Sequence, residues 1–141
     1  MSYTVYTFGY SGKTIQQLDL EVERLGAVVI DVRIQPYGNP VFNRSELQQR
    51  YGPKYVWIRE FGNKNYKTGG PTEFVDVELG ARKLGSIMAD GTPVILLCVC
   101  ENQWVCHRTD LAKRYNEELG WEICHLPYVE PKRESGYLFS E

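Results

Sequence analysis

Hydrophobic residues follow two spacings along this chain, one typical of strands and one typical of helices. Residues 94–97 form an unbroken apolar run, Val-Ile-Leu-Leu, between Pro93 and a polar stretch. Such a run is typical of a strand that is buried on both faces of a parallel sheet. Residues 3–8, 27–30, 55–58 and 121–126 are rich in β-branched, aromatic or other apolar residues and predict four further strands.

Apolar residues at helical spacing predict four helices between these strands. The first carries apolar residues at positions 15, 18, 22 and 25, between Thr14 as its cap and Gly26 as its stop. The others are a short helix from Asn43 or Ser45 to Tyr51, a longer helix that starts at Thr72, includes Phe74 and stops at Asp90-Gly91, and a helix from Thr109 to Leu119.

The alternation of strands and helices predicts the fold class. A repeating strand-helix order is typical of an α/β protein with a parallel sheet. We therefore expect a three-layer sandwich with a mostly parallel sheet of about five strands and helices on both faces. Residues 1–129 form this single domain, and residues 130–141 form a polar C-terminal tail.

Composition narrows the class of protein. The 141 residues are 43% hydrophobic and 24% charged, with a net charge of −2, as in a soluble globular domain. No apolar run is long enough to span a bilayer, and the first residues do not resemble a signal peptide. We expect a cytoplasmic protein without a membrane partner, whose four cysteines are reduced.

Candidate functional residues collect where the predicted strands end. Ligands of open parallel sheets bind beyond the carboxyl ends of the strands, and a helix N-terminus there attracts anions. The residues at these ends are Tyr10 and Ser11 after the first strand, Asp31 and Arg33 after the second, and Cys98, Glu101, Cys106, His107 and Arg108 after the fourth.

Two cysteines are candidate nucleophiles. Cys106 lies beside His107 and Arg108 near a predicted helix N-terminus, a setting that lowers the pKa of a thiol. Cys98 is the second candidate, and Glu101 or His107 is the candidate proton carrier. The simpler interpretation is that both cysteines fill the core and that Glu101 is an exposed loop carboxylate.

The two arginines suggest an anion site. Arg33 and Arg108 can bind a phosphate or carboxylate bidentately, and the Ser11 hydroxyl can donate to the same anion. Alternatively, Asp31 or Glu101 forms a structural salt bridge with one of them. The two interpretations are compatible if Asp31 orients Arg108 while Arg33 faces the ligand.

Two further patterns could indicate a metal site and a nucleic-acid site. Cysteine and histidine side chains are numerous enough for a metal site, but no pair has the spacing of a zinc knuckle, so we predict no metal ligands and keep metal binding as an alternative. Residues 44–67 combine basic and aromatic side chains, which suits nucleotides or single-stranded nucleic acid. We favour the simpler interpretation, in which Tyr55 and Trp57 belong to a strand and the charges are solvated.

Several of these motifs together resemble the domain-of-unknown-function 488 family. They are Phe8-Gly9-Tyr10-Ser11, Asp31-Val32-Arg33, Asn39-Pro40 with Phe42, Leu97-Cys98 with Glu101, Cys106-His107-Arg108 and His125-Leu126. The resemblance covers about residues 4–128 and implies a small α/β fold with a pocket at these motifs. The histidine usual in the family's first turn is Tyr10 here. A looser similarity to rhodanese-type sulfurtransferases and cysteine phosphatases is opposed by the long, glycine-free loop after Cys98.

These observations predict a small cytoplasmic enzyme that acts on an anionic, phosphate-bearing substrate, with a nucleotide or nucleic acid as the source of the phosphate. Its activity would be that of a cysteine-dependent transferase or hydrolase. The alternatives are a non-catalytic nucleotide- or nucleic-acid-binding module and a Cys/His metal-binding protein. The residues specify no cofactor.

Overall fold

A computed structural model describes residues 4–65, 71, 73–99, 113 and 122–126 of the chain. Its strands are β1 (Thr4–Gly9), β2 (Val28–Asp31), β3 (Tyr55–Trp57), β4 (Val94–Cys98) and β5 (Glu122–Leu126). Its α-helices are α1 (Ile15–Leu25), α2 (Arg44–Tyr51) and α3 (Val77–Met88), and single 3₁₀ turns span Gly52–Lys54 and Arg59–Phe61. Of the helix predicted for residues 109–119, only Lys113 is described, and it is helical; the predicted tail lies outside this description.

The five strands form one sheet in the order β3-β2-β4-β1-β5. All four neighbouring pairs are parallel, which confirms the predicted α/β fold. β4 lies at the centre, and each of its five residues is buried, as its unbroken apolar run predicted.

Each face of the sheet packs against helices. Phe8, Val29 and Leu97 share one apolar cluster with Leu18 and Val22 of α1 and Leu47 of α2. The alternate strand residues Val5, Ile30 and Leu96 share a second cluster with Leu84 and Met88 of α3. Because successive strand residues point to opposite faces, these helices cover both sides of the sheet.

Local capping sets the helix starts. As predicted, Thr14 caps α1 and Gly26 ends it, with a left-handed φ of 62°. Gln17 completes a reciprocal capping box with Thr14. Of the two caps proposed for α2, the structure selects Asn43, whose side chain accepts from Glu46 N at 2.9 Å.

The predicted start of the third helix at Thr72 is wrong. α3 begins at Val77, and its cap is Asp76, whose side chain accepts from Leu79 N at 3.1 Å. Phe74 instead forms an antiparallel bridge with Asn63. Backbone hydrogen bonds to residues 60–64 keep residues 73–76 out of the helix, so tertiary pairing overrides the local helical pattern.

In the part of the chain that the structure describes, no helix combines the length and the apolar character needed to cross a bilayer.

Candidate functional site

The strand order creates a crevice between the carboxyl ends of β1 and β4. From β1 the chain proceeds to β2 on one side of the sheet, and from β4 it proceeds to β5 on the other. Open α/β sheets bind ligands at such a switch point. Beyond the strands, Tyr10 N donates to Cys98 O at 3.0 Å and Ser11 N donates to Val99 O at 2.9 Å, so the turn after β1 is fixed against the end of β4.

A cavity of about 700 Å³ opens at this crevice. One wall is the turn after β1 together with the first turn of α1, residues 10–16, and the opposite wall is formed by residues 39–42 and Val99. The second wall is held in shape by the Asn39 side chain, which accepts from Val41 N at 2.8 Å and from Phe42 N at 2.7 Å. Hydrogen bonds therefore hold the walls of this cavity in place at the strand ends.

The first wall offers hydrogen-bond donors. Gly12 has a φ of 76°, which lets the chain turn sharply into the helix. Ile15 and Gln16 line the cavity, and amides in the first turn of a helix lack intrahelical acceptors. The Ser11 side chain is exposed at the same wall.

Lys13 supplies positive charge to this wall. Its ammonium nitrogen lies 5.9 Å from the centroid of the Phe8 ring. Across the described ranges, the carboxylate ion pairs involve other cations. Lys13 therefore has a charge that no described carboxylate neutralises, next to the first turn of α1.

Behind the cavity lies a buried charged network built on Asp31 and Arg33. Arg33 Nε donates to Asp31 Oδ1 at 2.8 Å, and Nη2 donates to Oδ2 at 2.6 Å. Tyr55 OH also donates to Asp31 Oδ2, at 2.5 Å. Asp31 is fully buried and Arg33 is 6% exposed, so this bidentate pair is shielded from water.

The surroundings shift the pKa values in this network. Burial disfavours the charged form of Arg33, but the hydrogen bonds and the negative charge of Asp31 outweigh it and raise the pKa of the guanidinium. Burial, together with Asp31, raises the pKa of the Tyr55 hydroxyl. The arginine and the tyrosine are thus held in their protonated forms.

Tyr10 connects the network to the cavity. Arg33 Nη1 donates to Tyr10 OH at 3.3 Å, and the guanidinium carbon lies 5.2 Å from the centroid of the Tyr10 ring. The ring also stacks on Phe42, with centroids 4.6 Å apart and an angle of 12° between the planes. Arg33 and Phe42 therefore fix the orientation of Tyr10 in the cavity wall.

The predicted site residues fall into four groups. Tyr10 and Ser11 line the cavity, whereas Asp31 and Arg33 form the structural salt bridge that was one of the two interpretations. Cys98 is 3% exposed and packs in the apolar cluster that includes Ile30. The remaining candidates lie outside the described residues, and their roles stay predictions; they are Glu101, Cys106, His107 and Arg108.

Sequence reasoning missed Lys13, and it connected Asn39-Pro40 and Phe42 with a pocket only through the family resemblance. The signal for Lys13 was the Gly12-Lys13-Thr14 sequence between a strand and a helix cap. A glycine turn and a cation at this position suit an anion at a helix N-terminus. No local signal placed residues 39–42 opposite that turn, because the two segments meet only in the folded chain.

Among the described residues, no group of three histidine, cysteine, aspartate or glutamate side chains is arranged to hold a metal ion. Cys124 is a free thiol. Burial raises the pKa of the Cys124 thiol, as in a cysteine that fills space between packed elements.

Comparison with known proteins adds no relative. The chain matches no protein-family model, no curated protein and no solved structure, so the resemblance to the domain-of-unknown-function 488 family stays a prediction.

Proposed function

We propose that the cavity between the ends of β1 and β4 binds a small phosphate-bearing anion and that the protein is an enzyme acting on it. The position of the cavity carries this proposal. It opens at the switch point of a parallel sheet, and its wall contains Ser11, Lys13 and the first turn of α1. A hydroxyl, an ammonium group and helix N-terminal amides together suit a phosphate.

In this proposal the buried network has a positioning role. Three N–H groups of Arg33 are directed at Asp31 and Tyr10, so Lys13 is the cation that contacts the anion among the residues that the structure describes, and Arg108 keeps its predicted role beside it. Tyr10 is 9% exposed, and its ring is stacked on Phe42 and contacted by Arg33, so it shapes the wall of the cavity. The cavity of about 700 Å³ is larger than inorganic phosphate alone would fill, and we therefore favour a nucleotide as the physiological ligand.

The catalytic step is assigned to the segment that follows Val99. Val99 lines the cavity, and Glu101, Cys106 and His107 come next in the chain. Cys106 is the proposed nucleophile, because Cys98 packs in the core. A non-catalytic binding module would use the same cavity without Cys106, and a Cys/His metal-binding protein would require residues of this segment as ligands.

Replacing Lys13 by glutamine tests the binding site. We expect the affinity for adenosine monophosphate, measured by isothermal titration calorimetry, to fall about tenfold or more, because one charge-assisted hydrogen bond is lost. Arg82 is the matched control: it is exposed on α3, and Arg82→Gln removes one charge from the opposite face of the sheet. Equal affinities in the wild type and the Lys13→Gln variant would overturn the site.

Labelling of thiols with iodoacetamide separates the enzyme from the binding module. We expect Cys106 to react at neutral pH faster than Cys124, and adenosine monophosphate to protect it, because a nucleophile at the anion site is activated and covered by its ligand. Mass spectrometry of the digested protein assigns each label. A Cys106 thiol that reacts slowly and gains no protection would favour the binding module.

A further inference from the structure

A second surface, which the proposed anion site does not include, lies beyond the edge strand β3. It consists of Tyr37, Trp57 and Arg44 and is called the aromatic platform below. The Tyr37 and Trp57 rings meet edge to face, with centroids 5.8 Å apart and an angle of 79°. The Arg44 guanidinium carbon lies 4.9 Å from the centroid of the Trp57 ring.

Hydrogen bonds and core packing support the platform on its inner side. Trp57 Nε1 donates to Arg33 O at 2.7 Å, and Trp57 packs against the apolar cluster that contains Tyr55 and Leu47. Arg44 N donates to Pro36 O at 2.7 Å, which ties the start of α2 to the residue before Tyr37. The backbone and the core thus fix the orientation of the Trp57 side chain, and the backbone bond fixes where Arg44 leaves the chain.

The upper side of the platform is open. Tyr37 is 62% exposed and is one of the few large hydrophobic side chains open to solvent among the described residues. Beside it lies a cavity of about 350 Å³ that is lined by Tyr37, Arg44, Ser45, Gln48 and Gln49. An aromatic ring, a guanidinium and two amides are the groups that stack on a nucleobase and hydrogen-bond to its edges.

The charge around the platform is positive although the chain is acidic. Residues 44–59 carry Arg44, Arg50, Lys54 and Arg59 against the single acidic residue Glu46, in a chain with a net charge of −2. Arg50 pairs with Asp19, whereas in the described ranges neither Arg44 nor Arg59 takes part in an ion pair with a carboxylate. Arg59 is exposed two residues beyond Trp57.

We infer that the aromatic platform binds single-stranded nucleic acid, with one base stacked on Tyr37 and the backbone phosphates near Arg44 and Arg59. One arginine lies over the half-buried Trp57 ring beside the exposed Tyr37 ring, and Arg59 follows Trp57 by two residues in the chain. This combination suits a strand, which presents bases and phosphates alternately. A duplex fits less well, because its bases are stacked inside and leave no free face for Tyr37. The simpler view that the charges of this segment are only solvated does not account for the open ring beside them.

The test measures binding of a short fluorescein-labelled oligothymidylate to the full chain by fluorescence anisotropy at several salt concentrations. We expect Tyr37→Ala to weaken binding about five- to a hundredfold, which is the effect of removing one base-stacking ring, whereas Tyr37→Phe keeps most of the affinity. Arg44→Ala lowers the slope of log affinity against log salt by about 0.7. Arg82→Ala, with the same charge change on α3, leaves that slope unchanged.

The inference would be overturned if no strand bound at low salt, or if a duplex bound with equal affinity. It would also be overturned if Arg44→Ala and Arg82→Ala lost affinity for the strand equally while Tyr37→Ala lost none, or if a proline-rich peptide bound in place of the strand. The proposed anion site can fail separately. Lys13→Gln should leave strand binding intact, and Tyr37→Ala should leave the affinity for adenosine monophosphate intact.

Discussion

Replacing Asp31 by alanine is expected to lower the free energy of unfolding by about 3–5 kcal/mol, because the change leaves the buried Arg33 guanidinium without its counter-charge. The hydroxyl of Tyr55 loses its acceptor in the same variant, which adds to the loss. Urea unfolding followed by circular dichroism measures the effect as a lower midpoint at an unchanged slope.

Two further variants make this result interpretable. Glu73→Ala removes one partner of an ion pair with Lys64 in which both side chains are about half exposed, and its cost should stay between about 0 and 1 kcal/mol. The double variant Asp31→Leu with Arg33→Met removes both charges and should recover part of the stability. A cost of Asp31→Ala no larger than that of Glu73→Ala would show that Arg33 is not dependent on Asp31.

The glycines of α3 are expected to respond in opposite directions to the same substitution. A methyl group at Gly80 would lie 2.5 Å from Cε1 and 2.7 Å from Cδ1 of Phe61, a fully buried ring, whereas one at Gly85 would meet no atom within 4 Å. Gly80→Ala should therefore destabilise the protein by about 1–3 kcal/mol through overpacking. Gly85→Ala should stabilise it by about 0.5–1 kcal/mol through helix propensity.

Thermal unfolding of the two alanine variants measures this difference directly. Each variant controls for the helix propensity of the other, since both positions lie on the same helix. If Gly80→Ala proved as stable as Gly85→Ala, the Phe61 ring would have to move freely within the core, contrary to the packing seen here.

The periodic parts of the chain were predictable because their causes are local. The apolar run at 94–97 identified β4, and Thr14 with Gly26 bounded α1, since strand burial and helix capping depend on neighbouring residues. Thr72 misled the prediction of α3 because Phe74 continues the helical spacing. The hydrogen bonds that keep residues 73–76 out of the helix join them to residues 60–64, and that pairing has no local signal.

The candidate site was predictable only in part. Strand ends directed attention to Tyr10, Ser11, Asp31 and Arg33, and the structure brings Tyr10, Asp31 and Arg33 into one hydrogen-bonded network. The sequence did not show which of these residues line the cavity and which form the buried salt bridge. That Arg33 faces Asp31 and Tyr10 depends on which face of β2 Asp31 occupies and on how Phe42 closes over Tyr10.

By itself the sequence determined an α/β chain with five strands and the residues at their ends, because hydrophobic period and capping are written in consecutive positions. Only the tertiary structure decided the strand order. That order places β4 between β2 and β1 and so opens a cavity beside Lys13. The tertiary structure also decided that Tyr37, Arg44 and Trp57 meet on one surface. Both outcomes depend on contacts between distant segments, whose free energy comes from burial and pairing that no local pattern encodes.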